Sequence, residues 1–190
     1  MVLSKTGRLL GILPKHALQY QACIESIDWF REEGSMTVEQ MIYDFSVQNK
    51  WTWANWVLIR CLTQYDRYKY LLYCLNKLSV VSTAFSNVIN DFNNITTIET
   101  VRPSVLAIWE EVHGLDIPTE NQTIEWATRA AWAAISSLRC CEPEVSSPNM
   151  ALNMATSAVE WVINSLNNDY KIEVDEWADI LDYGLGLLLV

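Results

Sequence analysis

The sequence predicts an all-α protein, an irregular bundle of seven or eight helices forming a single domain over residues 1–190. Three observations predict it. Apolar residues recur in steps of three and four along most of the chain. Ser/Thr start signals and Pro/Gly stops cut it into segments of helical length. Strand signals are confined to Val80-Val81 and Ile172 to Val174, with no Asn-Gly or Asp-Gly hairpin turn. A chain of this length buries roughly 70% of its unfolded surface, so its core needs neither a disulfide nor a metal.

Taken in order, the first helix is expected from Lys15 to Arg31, with Pro14 at its start and Gly34 at its end. Thr37 followed by Gln40 is a capping box, and Met36 with Met41 has the spacing of a hydrophobic staple. Trp51 to Cys61 reads as a third helix, and Thr63 with Asp66 marks the next start. Behind that start, Leu71, Cys74, Leu78, Val81, Phe85, Val88 and Phe92 predict a long central helix. Pro103 opens a helix that Gly114 closes, and Thr119 with Gln122 opens another carrying Ile124, Ala127, Ala131, Ala134 and Leu138. Ser147 and Pro148 then begin a helix with Leu152, Ala155, Val159, Val162 and Leu166 on one side. Alanines on these last two seams permit close helix approach. A final helix is expected from Asp175 to about Gly184, where Gly184-Leu185-Gly186 reads as a stop. Trp177, Ile180 and Leu181 face inward in this reading; Asp175, Asp179 and Asp182 face outward.

Charge divides the chain unevenly. Residues 1–95 hold nine Lys plus Arg against eight Asp plus Glu, and residues 96–190 hold four against fifteen, leaving a near-neutral, aromatic-rich half and an acidic one. Such an excess repels nucleic acid and anionic lipid and favours encounter with a basic partner; it also serves plain solubility, and both readings stand at this point. The five cysteines are odd in number and lack metal-type spacing, so they are expected to be reduced, in a cytoplasmic protein. Lys5, Arg8, Gly11 and Pro14 interrupt the one early apolar stretch, arguing against a secretory leader. No run approaches the ~18 apolar residues of a membrane span.

Raw material for catalysis is scarce, and no enzymatic activity is expected. The two histidines, His16 and His113, offer little for zinc sites or acid-base pairs. Glu110-Glu111-Val112-His113 has the Glu-x-x-His spacing of di-iron bundles, but such sites need it twice, and no second copy precedes His16. Gly-rich phosphate loops are missing, so no catalytic, cofactor-binding or metal-ligating residue is assigned and no cofactor is expected. Cys23 and Cys61 read as small buried apolar residues rather than nucleophiles. Asp28, Glu32 and Asp44 could converge in a cleft as a carboxylate-only enzyme, which stands as an alternative.

Two constellations read as binding surfaces. One is Trp51, Trp53 and Trp56, continued by Tyr65, Tyr68, Tyr70 and Tyr73, residue types preferred as interface anchors. Interleaved Arg60, Arg67 and Lys69 would suit stacking on bases, but the net charge opposes direct nucleic-acid binding. The same aromatics could instead be wedges between helices, or the contact of a homo-oligomeric assembly subunit. The other is the acidic ridge of Asp175, Glu176, Asp179 and Asp182, read either as a solvated face or as a patch that meets a basic protein.

Trp53-Ala54-Asn55-Trp56-Val57-Leu58-Ile59-Arg60-Cys61-Leu62-Thr63, followed by Tyr70-Leu71-Leu72-Tyr73 and the Ala-rich segment Glu125 to Leu138, resembles an all-helical family of phage and bacterial immunity proteins of polymorphic toxin systems. The likeness covers residues 51–90 and 124–166 and carries over no catalytic residue. It implies a protein that neutralises another protein. Joined to the acidic balance, it leads to the expectation of a non-catalytic inhibitor that occludes a basic surface on a nuclease or nucleic-acid-binding complex, in a phage or mobile-element setting.

Overall fold

A computed structural model describes residues 2–3, 9–12, 36–80, 86, 89–90, 122–139, 147–166 and 170–189. The fold is helical. Six α-helices lie among the described residues: α1 (Val38–Val47), α2 (Trp51–Cys61), α3 (Gln64–Asn76), α4 (Gln122–Arg139), α5 (Pro148–Leu166) and α6 (Tyr170–Leu189). The two further helices expected at Lys15 to Arg31 and after Pro103 lie outside the described residues, as do the proposed starts at Pro14 and Thr119.

Start signals act where the sequence puts them. Thr37 Oγ1 accepts from the Gln40 N–H at 3.2 Å while Gln40 Oε1 accepts from the Thr37 N–H at 3.1 Å, closing the capping box of α1. Thr63 Oγ1 likewise accepts from the Asp66 N–H at 3.1 Å and donates to Asp66 Oδ2 at 2.6 Å. At α5 the Ser147 carbonyl takes the Ala151 N–H, with Pro148 in the first helical position. The reversal between α1 and α2 falls on Asn49, at φ 57. Its N–H reaches Ser46 O and that of Lys50 reaches Phe45 O, a Schellman ending with asparagine where glycine is commoner.

Three expectations are corrected. The long helix through Phe92 is interrupted: α3 ends at Asn76 and continues as a 3-10 turn, Lys77–Val80. Ser79 and the β-branched Val80-Val81 pair are weak helix formers, and Lys77 is held from the side by α6, as described below. The last helix is longer than Asp175 to Gly184, beginning at Tyr170 and running through both glycines to Leu189. Gly184 is therefore a packing residue rather than a stop. Strands occur where none was expected: β1 (Val2–Leu3), β2 (Leu9–Ile12) and β3 (Met36–Thr37) make a small antiparallel sheet with β2 in the middle, whereas Ile172 to Val174 is helical. Pairing of Gly11 with Thr37 and Ile12 with Met36 ties this ribbon to the first turn of α1.

The core runs between the helices. Ala127, Ala130, Ala131 and Ala134 of α4 and Ala151, Ala155 and Ala158 of α5 are all buried, and these two helices share the most extensive interface among the described ones. Ser137 Oγ, donating to the Ala151 carbonyl at 2.7 Å, fixes the end of α4 beside the first turn of α5. α1 packs on α2, while α2, α3 and α6 gather about α5. Trp177, Ile180 and Leu181 bring α6 into the shared core, and Leu185, Leu187 and Leu188 extend that contact partly buried.

Candidate functional site

The proposed acidic ridge lies on α6 because the apolar positions Trp177, Ile180 and Leu181 turn inward and force the intervening carboxylates outward. Asp175, Asp179 and Asp182 are exposed and Glu176 is half-buried. The ridge has a built edge. Lys77 Nζ lies 2.6 Å from Asp179 Oδ2 and 2.7 Å from Glu176 Oε2, so one cation from the 3-10 turn spans two carboxylates of α6. The hydroxyl of Tyr73, one turn earlier on α3, donates to the same Asp179 oxygen at 2.6 Å. Its ring stacks on Tyr183, centroids 3.9 Å apart and planes within 8°. Asp175 and Asp182 make no ion pair among the described residues.

Protonation follows from these contacts. The hydrogen bond from Lys77, then that from Tyr73, holds the Asp179 carboxyl below the usual range. The Tyr73 hydroxyl is pushed up to about 12, first because its proton is held by Asp179 and second by burial. Burial works against the Lys77 ammonium, but its bonds to Asp179 and Glu176 outweigh that and raise its pKa. The depressed Asp179 stabilises the fold above its unfolded pKa, and that contribution is lost as the pH falls through the folded value. The raised Tyr73 and Lys77 contribute below their unfolded values and lose their share only in strong alkali. Asp179→Asn is expected to cost about 1 kcal/mol or less, because the pair is solvent-screened. It should also flatten this acid limb. Denaturant unfolding of both proteins between pH 6 and 2.5 measures it: an unchanged acid dependence in the variant would remove Asp179 from the clamp.

The tryptophans occupy a different place. Trp51, Trp53 and Trp56 are half-buried against the core. Trp53 meets Phe45 of α1 edge-on at 5.5 Å, with Lys50 Nζ over its ring at 4.5 Å. The Arg60 guanidinium lies 3.9 Å from the Trp56 ring centroid, and Lys69 Nζ is 4.3 Å from that of Tyr65. One face of each of these rings is thus taken by a cation of the same chain. Trp53 and Trp56 are held by α1 and by Arg60, whereas Tyr73, from the far end of the same aromatic constellation, bonds to Asp179 and so joins that constellation to the acidic row.

No known protein family, curated protein or solved structure matches this chain.

Between α2, α3 and α5 lies a polar cluster that the sequence reading did not single out. Asn55 is fully buried; its Nδ2 donates to the Thr156 carbonyl at 3.2 Å and its Oδ1 accepts from the Tyr70 hydroxyl at 3.1 Å. Arg60 Nη1 donates to Thr156 Oγ1 at 3.3 Å and Nη2 to Asn153 Oδ1 at 2.7 Å. A signal was present, since Asn55 stands one turn before Ile59 on the apolar face of α2, where a polar residue must find buried partners.

Chemical candidates fare as follows. Burial pushes the Cys61 thiol up to about 12 and raises Cys74 as well, so both remain protonated at neutral pH and neither is primed as a nucleophile. Both are free and buried. Asp44 is half-exposed on α1, while Asp28, Glu32, His16, Cys23 and Glu110 to His113 lie outside the described residues. Among the described residues no group of three or more His, Cys, Asp or Glu is placed to hold a metal ion. No described helix is long and apolar enough to cross a membrane.

Proposed function

We propose that this chain is an immunity-type inhibitory protein that docks the outer face of α6 onto a basic surface of a nuclease or nucleic-acid-binding complex. The observation that carries the reading is the charge left on that face: among the described residues, Lys77 is the single cation paired with the row of Asp175, Glu176, Asp179 and Asp182. Among these residues four carboxylates against one cation leave three negative charges in excess, and Asp175 and Asp182 at the ends of the row are open to solvent. A helix face of this kind steers a basic partner during encounter, and the helix beneath it is held by the core and by the Tyr73–Lys77 clamp. The buried, protonated thiols accord with the cytoplasmic setting such a role requires.

Asp179 already serves the fold, so a test that neutralises it mixes binding with stability. The clean variant is Asp175→Asn with Asp182→Asn. Against a nuclease bound by the wild type, it is expected to slow association roughly three- to tenfold at low salt and to converge with the wild type at high salt. Stopped-flow association across ionic strength reads this directly. Equal rates at low salt would take the ridge out of the interface. The rival reading of a homo-oligomeric assembly subunit is separated by light scattering, where it requires a mass that rises with concentration.

A further inference from the structure

We draw no further inference here: the strongest candidate, the exposed apolar pair Tyr43 and Val47 one turn apart on the outer face of α1, carries nothing because no feature of the structure shows what covers it.

Discussion

Gly184→Ala is expected to destabilise the protein, whereas Gly186→Ala, two residues further along the same helix, is expected to stabilise it. A methyl at position 184 would overlap the Leu58 Cδ2 methyl and come within 2.8 Å of the Tyr70 ring; at 186 it would meet nothing within 4 Å. Both neighbours of Gly184 are fully buried. Leu58 meets the new methyl with the end of a flexible side chain, but Tyr70 does not swing freely, because its hydroxyl is tied to Asn55. The relief must therefore come from moving α6 away from α2 and α3, which loosens Trp177, Ile180 and Leu181 as well. Overpacking of this kind costs about 1–3 kcal/mol. The intrinsic helix preference for Ala over Gly, about 1 kcal/mol, offsets part of it at 184 and is the whole effect at 186. Gly184→Val adds bulk and β-branching and should fall at or beyond the upper end. Urea unfolding midpoints at constant slope measure all three. The same sign at 184 and 186 would mean that the glycine does not set the approach of α6.

That pair of glycines also marks the boundary of what the sequence discloses. Signals acting over one helical turn were legible: Thr37 with Gln40, Thr63 with Asp66, and Ser147 with Pro148 each start a helix where they stand, and Trp51–Cys61 has the bounds its sequence suggests. So were the inward and outward sides of α6, since apolar spacing determines both. What escaped depends on partners remote in the chain. Gly184 looks like a helix stop until Leu58 and Tyr70 are placed against it. Lys77 looks like one more cation on a helix until Glu176 and Asp179 meet it. The small sheet requires Gly11 beside Thr37, a pairing that no periodicity in two- to four-residue strands announces.

The candidate site divides along the same line. That Asp175, Asp179 and Asp182 share an exposed face follows from their spacing. That Asp179 is committed to Tyr73, 106 positions away, does not. The tryptophans show the converse: their abundance was plain, but which ring faces are covered depends on Phe45 of the neighbouring helix and on where Lys50 and Arg60 come to rest.

The buried amide of Asn55 gives the second large expected effect. Asn55→Ala removes the acceptor of the Tyr70 hydroxyl in a fully buried position and leaves a void besides. An unsatisfied buried donor costs about 1–3 kcal/mol, and the cavity adds to it, so a loss of about 2–4 kcal/mol is expected. Tyr70→Phe strands the Asn55 oxygen in turn and should cost about 1–3 kcal/mol. Changing both, Asn55→Leu with Tyr70→Phe, replaces the pair with apolar groups of similar shape. The Thr156 carbonyl, inside α5, still takes the N–H one turn ahead, so losing the Asn55 donor leaves no orphan acceptor. Removing both members of a buried hydrogen bond is far less costly than removing either, so the double variant should be more stable than the sum of its singles by about 1–2 kcal/mol. A cycle of denaturant unfolding free energies over the wild type, Asn55→Leu, Tyr70→Phe and the double variant reads this coupling. Strict additivity would show that the two side chains do not act together. It would also remove the tether invoked for Tyr70 at Gly184, and the cost there would then fall as the ring turned aside.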